Sequence, residues 1–455
     1  MFGRVLVANR GEVAVRVIRA CRELGVETVA VYSTADRDAL HVGLADRAVH
    51  IGPPPAGESY LKISALIAAA EITDCEAVHP GWGFLAENAD FARACEDNDL
   101  VFVGPRPETI ELMGDKARAK ATVREAGLPL VPGSDGAVTL PEARALAGEI
   151  GFPLLLKASA GGGGRGMRLI AAPDELEPAF QAAAAEALAA FSDNSLYLEK
   201  ALTNSRHVEI QVLGDGDGGV LTLGERDCSI QRRHQKVIEE APSPGVTQEL
   251  RTAMEEACRA ACERIRYRGA GTMEFLLSDG GFHFIEMNTR LQVEHPVTEL
   301  LTGVDLVHAQ FRIAAGDGLP RRGRAELRGH ALEVRLNAED PSRDFLPSPG
   351  TLERFRPPLG PGVRVDTHAY EGYRIPPYYD SLIGKIVVWA ESRPGALARA
   401  RRALSELEIV GLPTTRELAM EILTDDEFTS GRYTTGYLRD AAGRLAALAG
   451  QGTQA

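Results

Sequence analysis

The sequence predicts a three-domain protein of mixed class, α/β at its N-terminal end and α+β beyond it. Three observations carry that reading. The first 112 residues alternate short β runs with helical stretches, the order that builds a small doubly wound sheet. The middle of the chain holds many strands around a run of four glycines, and the last third reads as short antiparallel strands followed by one helix. A length of 455 residues leaves room for about three domains of ordinary size.

Taken in order, Arg4–Ala8 reads as the first strand. Glu12–Leu24 follows as a helix, with Val13, Val17 and Ala20 on one face and Gly25 as its stop. Glu27–Ser33, Glu76–His79 and Leu100–Val103 are the later strands of this region. The turn after the first strand is Asn9-Arg10-Gly11-Glu12 rather than GxGxxG, which argues against a dinucleotide site. Ser64–Ala70, Pro141–Ile150 and Pro173–Phe191 are alanine-rich and helical. Strands are expected at 154–158, 167–171, 196–200, 206–213, 220–225, 271–277 and 282–288. Arg321-Arg322-Gly323-Arg324 has the look of a linker. Beyond it, 330–337, 351–356, 363–367 and 383–390 read as strands and Gly395–Leu407 as a helix.

The net charge of −14 would repel phosphate backbones, so nucleic-acid binding is not expected. No apolar run is long enough to span a membrane and no signal peptide is visible, so a cytoplasmic protein is expected. The six cysteines form no CxxC pair, which fits a reducing compartment better than a zinc site or a disulfide frame. Only seven of the 50 basic residues are lysines, at 62, 116, 120, 157, 200, 236 and 385. In so arginine-rich a chain each lysine is worth examining for a compact point charge that a guanidinium fork cannot replace.

Two segments carry chemistry. Leu154–Ala158 runs into Ser159-Ala160-Gly161-Gly162-Gly163-Gly164-Arg165-Gly166 and then into a second strand. Strand–loop–strand excludes a Walker A loop, which opens a helix. Consecutive glycine N–H groups flanked by Lys157 and Arg165 suit a hairpin lid over a triphosphate. The second segment is Gly271–His295. A three-residue loop at Asp279-Gly280-Gly281 sets Glu274 directly opposite Glu286. Facing carboxylates destabilise a strand pair unless a cation lies between them, and carboxylate and amide oxygens suit magnesium or manganese. If the second strand stays extended, Glu286, Asn288, Arg290, Gln292 and Glu294 share one face in a stripe about 30 Å long.

The sequence resembles the biotin carboxylases, a branch of the ATP-grasp enzymes. The stretches that carry the resemblance are ANRGEVAVRVIRAC near the start, HPGWGFLAEN at 79–88, MGDK at 113–116 and KASAGGGGRGMR at 157–168. They continue with LEK and RHVEIQV at 198–212, ERDCSIQRRHQKVIEEAPSP at 225–244, EFLLSDGGFHFIEMNTRLQVEHPVTE at 274–299 and GHALEVRLNAEDP at 329–341. The resemblance implies an ATP-grasp fold with a doubly wound N-terminal domain (1–112), an ATP-grasp domain (113–325, lid about 131–203), a C-terminal antiparallel-sheet domain (326–446) and a tail (447–455).

It also implies roles. ATP would meet Lys116, Lys157, Gly163, Gly164, Glu199, Lys200, Leu202, His207, Gln231, His234, Glu274 and Glu286. Two magnesium or manganese ions would sit on Glu274, Glu286 and Asn288. Bicarbonate would meet Lys236, Arg290, Gln292, Val293 and Glu294, with Glu294 as general base and Arg335 stabilising the biotin enolate. Trp82 stands where the family usually has a tyrosine near biotin, and Ala160 replaces a usual lid glycine.

Biotin is expected on a separate carrier protein, because no lysine lies between methionines as a biotin acceptor would. The expected setting is a free-standing subunit of acetyl-CoA carboxylase that works with carboxyltransferase subunits; propionyl-CoA and pyruvate carboxylases are the alternatives. The family also implies a homodimer, with Arg19 and Glu23 on the pairing helix. Two rivals stand beside this reading: another ATP-grasp carboxylate ligase, and a silent nucleotide-binding scaffold.

Overall fold

The computed structural model describes residues 1–159, 167–191, 193–232, 235–278 and 281–441. The expected lid glycines Gly163 and Gly164, the expected ATP contact His234 and the tail 447–455 lie outside the described residues.

The N-terminal region folds around a five-stranded parallel sheet in the order Arg47–Gly52, Glu27–Ser33, Arg4–Val7, Ala77–His79, Val101–Phe102. Both faces are covered, so the strands are short apolar runs rather than alternating ones. Arg47–Gly52 is a strand that the sequence did not suggest, because its exposed edge is largely polar. The helix Gly11–Glu23 buries Val13, Val17 and Ala20 as expected, and Gly25 follows it at φ +71°.

A nine-stranded sheet forms the centre. Its order is Gly281–Asn288, Arg268–Ser278, Arg206–Asp215, Val220–Arg232, Gln235–Ala241, His330–Asn337, Leu382–Ala390, Val363–Thr367. Gly323–Arg324 adds to Val220–Arg232 as a short parallel strand, so the expected linker is docked on the sheet at that point. The antiparallel strands of the C-terminal region therefore continue the central sheet through the pairing of Gln235–Ala241 with His330–Asn337. Gln235–Ala241 was not anticipated as a strand; its basic start and acidic end break the period-two pattern that marks one.

A separate three-stranded sheet, Met167–Ile170, Leu154–Ala158, Leu196–Lys200, carries the helices Leu140–Ile150 and Leu176–Phe191. Its core is small and alanine-rich, with Ala143, Ala147, Ala183 and Ala187 against Leu154, Leu156, Leu196 and Leu198. The site lies on the central sheet, with the three-stranded unit beside it.

Candidate functional site

Three adjacent strands put an acidic row across the sheet. Glu274 on Arg268–Ser278 pairs with Glu286 on one side and with Glu209 of Arg206–Asp215 on the other. The facing of Glu274 and Glu286 is as expected, but the hairpin reaches it differently. Ser278 pairs with Gly281, so the connection is one residue shorter than the predicted loop. A register shift between Glu274 and Phe275 leaves Ile285 as an extra residue and restores the expected pairing beyond it.

Glu274 gathers donors. Its Oε1 accepts from Asn288 Nδ2 at 2.8 Å, Gln292 Nε2 at 3.0 Å and Lys236 Nζ at 3.2 Å. His207 Nε2 stands 3.0 Å from its Oε2. Burial disfavours the charge on Glu274, but Lys236 and His207 outweigh it and hold the pKa well below the usual carboxylate value. Glu286 is exposed as a residue while protein atoms crowd its carboxylate. That crowding and the charge of Glu274 raise its pKa. The neighbouring cations thus favour the charge on Glu274, while burial and that charge disfavour it on Glu286.

Lys236 bridges the row to a second carboxylate. Its ammonium donates to Glu209 Oε2 at 2.6 Å and to Glu294 Oε1 at 2.5 Å. Burial works against this ammonium, but Cys228, Glu209, Glu274 and Glu294 outweigh it and hold its pKa well above the usual lysine value. The other oxygen of Glu294 accepts from Arg335 Nη2 at 2.8 Å. Arg335 Nε in turn donates to Glu239 Oε1 at 2.6 Å. Despite burial, Lys236, Arg335 and Arg226 keep Glu294 well below the ordinary pKa, so it is ionised and can accept a proton.

The expected extended stripe does not form. The strand ends at Asn288, residues 289–294 are irregular, and Glu294 is the N-cap position of the helix His295–Thr302. Bending brings the polar residues together instead of spreading them along a strand. Arg290 Nη2 donates to Asn288 Oδ1 at 3.0 Å and its Nε to Glu87 Oε2 at 2.9 Å. Gln292 reaches Glu274 through its amide nitrogen, and its oxygen accepts from Arg226 Nη2 at 2.8 Å. Leu291 and Val293 between them are buried.

Arg226, Glu209 and Glu87 had no assigned role in the sequence. Arg226 is fully buried and spends all five guanidinium hydrogens: on Glu209 Oε1 (2.6 Å), Gln211 Oε1 (2.7 Å), Gln292 Oε1 (2.8 Å), Thr298 Oγ1 (2.9 Å) and Thr272 Oγ1 (3.0 Å). It is the rigid centre beneath the site. The available signal was an arginine inside the conspicuous segment ERDCSIQRRHQK. Its partners come from four other segments, which no spacing rule connects.

On the nucleotide side, Lys157 Nζ donates to Glu199 Oε2 at 2.5 Å, and Lys120, which had no expected role, donates to Glu199 Oε1. Lys116 opens the helix Lys116–Glu125, whose N-cap Asp115 accepts from Ala117 and Arg118. Burial lowers the pKa of Lys116, with Glu286 pulling the other way. A cleft of about 420 Å³ is lined by Lys116, Lys120, Ser134, Ser159 and Tyr197 among others. The ammonium of Lys200 is taken by the carbonyls of Gly151 (3.1 Å) and Phe152 (2.8 Å), and its backbone N–H donates to the carbonyl of Pro132 (2.7 Å). Leu202 is half-buried just beyond that strand, and Gln231 pairs in register with Lys236.

Trp82 sits in a loop whose neighbours Gly81 and Gly83 have φ of +66° and +69°. Asn9 Nδ2 clamps the loop by donating to the carbonyls of Pro80 (2.7 Å) and Trp82 (2.8 Å). A Cβ on Gly81 would meet that amide at 2.8 Å, so close approach as well as backbone conformation calls for glycine here.

The donor set fits a divalent cation. Glu274 and Glu286 face each other, Asn288 adds an amide, and His207, Glu209 and Glu274 offer ligand atoms within 4.8 Å of one another. Carboxylate and amide oxygens suit magnesium or manganese. No helix among the described residues is long and apolar enough to cross a membrane.

Comparison with known proteins agrees with this geometry. Residues 1–110 match the family model for the biotin carboxylase N-terminal domain and 333–440 that for the biotin carboxylase C-terminal domain. Residues 115–322 match that for the ATP binding domain of the carbamoyl-phosphate synthase L chain. A biotin carboxylase of Nostoc sp. is 54% identical over 442 residues, 96% of this chain and 99% of that one. The biotin carboxylase of Pseudomonas aeruginosa is 54% identical over 448 residues, 97% of this chain and 99% of that one. Among solved structures, the biotin carboxylase domain dimer of the Hydrogenobacter thermophilus 2-oxoglutarate carboxylase, in complex with MgADP, ADP and bicarbonate, superposes with a TM-score of 0.93. It is 49% identical, with 98% of this chain and 99% of that chain covered.

Proposed function

The chain belongs to the biotin carboxylase family, and from that premise we propose how its own residues perform the reaction and in what setting. The activity is the ATP-dependent carboxylation of biotin with bicarbonate. The setting we propose is the first half-reaction of acetyl-CoA carboxylase, on biotin held by a separate carrier protein.

Bicarbonate is a poor nucleophile and must lose a proton as it attacks the γ-phosphoryl group of ATP. Glu294 is the base: an ionised carboxylate held between Lys236 and Arg335. That arrangement is the single observation that carries the mechanism. In the resting site Lys236 suppresses the basicity of Glu294. Bicarbonate entering beside Lys236, Arg290 and Gln292 competes for that charge, and Glu294 becomes a better acceptor as the substrate arrives. Lys116, Lys157 and Lys236 offset charge on the phosphoryl oxygens, and Glu274, Glu286 and Asn288 would hold the divalent cations. Bound there, those ions would neutralise phosphate charge in the manner general to phosphoryl transfer.

Carboxyphosphate then breaks down to CO₂ and phosphate, which takes the N1′ proton of biotin. Arg335 stabilises the biotin enolate while nitrogen attacks CO₂. Water would destroy carboxyphosphate, so the three-stranded unit with its glycine loop is assigned the part of the closing lid.

The separate carrier is supported by relatives named biotin carboxylase whose length this chain covers to 99%. Carboxyltransferase partners, a homodimer using the exposed Arg19 and Glu23, a cytoplasmic location and domain limits at 1–112, 113–325 and 326–446 belong to the same proposal. ATP hydrolysis by the purified protein should depend on bicarbonate and rise with free biotin; hydrolysis indifferent to bicarbonate would refute the reading. Glu286→Gln should lose metal-dependent turnover and keep its unfolding midpoint.

A further inference from the structure

We propose that Lys385 is a positioning residue for the reaction. It fixes the peptide that carries the base Glu294, and it is itself paired with Glu12, which Trp82 holds in turn. The inference rests on the function assigned above and extends it to residues with no role in that mechanism.

Lys385 is fully buried on the strand Leu382–Ala390, in register beside Arg335. Its ammonium donates to the carbonyl of Val293 at 2.6 Å. Glu12 Oε2 stands 3.4 Å from it and Asp366 Oδ2 4.0 Å. Glu12 comes from the helix Gly11–Glu23, Val293 from the irregular segment after the metal hairpin and Lys385 from the C-terminal strands, so one buried cation ties three separate parts of the chain together. Glu12 Oε2 has no hydrogen-bond partner, while Glu12 Oε1 accepts from the indole Nε1 of Trp82 at 3.0 Å. Asp366 is already engaged by Arg364 at 2.7 Å and 2.8 Å.

The chemistry follows from the planarity of the peptide. The carbonyl of Val293 and the N–H of Glu294 belong to one rigid plane, so a charge-assisted bond on the carbonyl also sets the direction of that N–H and the origin of the Glu294 side chain. Other anchors of this segment include the side-chain bonds of Gln292 and Glu294 to Glu274, Arg226, Lys236 and Arg335, and the carbonyl of Gln292 beside the His295 ring at 2.8 Å. Bicarbonate must loosen some of these when it binds to Lys236. Lys385 holds the segment from behind, by an anchor that substrate does not disturb. Trp82 links that anchor to the loop expected to face biotin, where a tyrosine would have to find Glu12 with a shorter side chain.

Kinetics of bicarbonate-dependent, biotin-stimulated ATP hydrolysis test the idea. In the double variant Glu12→Gln/Lys385→Met both charges of the pair are gone, so neither is stranded in the core. We expect its bicarbonate KM to rise about tenfold or more while the ATP KM changes less than about twofold. Trp82→Phe should raise the same KM about threefold, without a comparable loss of thermal stability. A folded double variant with an unchanged bicarbonate KM, or one whose parameters all fall together with its melting temperature, overturns the proposal. If the double variant does not fold, Trp82→Phe and Glu12→Gln decide it: an unaltered bicarbonate KM in both counts against. A wild-type enzyme whose hydrolysis ignores bicarbonate would overturn the assigned function instead, which keeps the two failures apart.

Discussion

The floor of the site and the three-stranded unit beside it are built on opposite principles. In the floor, Lys236, Arg226 and Arg335 each hold more than one buried acceptor, and the acceptors are shared among them: Glu209 between Lys236 and Arg226, Glu294 between Lys236 and Arg335. The three-stranded unit has a small alanine-rich core and solvent-exposed ion pairs such as Arg144–Glu177 and Arg168–Glu186. Such exposed pairs contribute about 0 to 1 kcal/mol each. Beside the cleft its Glu199 lies between Lys120 and Lys157. Shared buried charges fix geometry in advance of the reaction, while a weakly held unit can move over a substrate at little cost. In the function proposed above, pre-organisation and closure thus fall to different parts of the same chain.

The sharpest way to break this contrast is Glu294→Gln. Loss of a positioned general base should lower bicarbonate-dependent turnover about a thousandfold, with ATP binding measured by calorimetry nearly unchanged. Next in size is Arg226→Met, which leaves Glu209 buried with one cation fewer and strips Gln292 of its donor. It should cost about 3 kcal/mol or more in chemical denaturation, and a loss below about 1 kcal/mol would show that the floor is not a cooperative network.

Acid stability gives a third test. Glu240 is buried, yet His330 and Arg393 outweigh that burial and lower its pKa to about 2. A depressed carboxylate stabilises the fold above the unfolded pKa near 4.5 and loses that contribution as pH falls toward 2. Roughly 3 kcal/mol should disappear across that window, and Glu240→Gln should flatten the slope. The smallest effect belongs to the edge of the three-stranded unit, where Lys120 of the helix Lys116–Glu125 reaches Glu199. Lys120→Ala leaves Lys157 on Glu199, so the ATP KM should rise only about threefold with kcat retained; a change as large as that of Glu294→Gln would erase the distinction between floor and lid.

How much was legible depended on the range of each interaction. The facing of Glu274 and Glu286 was readable because a hairpin pairs residues close in sequence, and it survived an error in the loop length because a bulge compensated. The extended stripe from Glu286 to Glu294 was not: nothing in the alternation signals that the strand stops at Asn288 and turns into a helix cap. Glu209 was hidden because its partner strand lies some sixty residues away, with Glu209 opposite Glu274. Glu87 reaches Arg290 from the N-terminal region, a contact no local pattern encodes.

By itself the sequence determined the family, the ATP-grasp architecture and the facing of Glu274 and Glu286, because motif residues and hairpin pairing are local properties. Only the tertiary structure decided which cation meets which carboxylate. Lys236 takes Glu209 and Glu294, Arg226 closes the floor, and Lys385, a lysine without a role on sequence grounds, reaches the carbonyl before the base. The physical reason is that buried charges are paired across distant segments, where the partner is chosen by the packing of strands and helices.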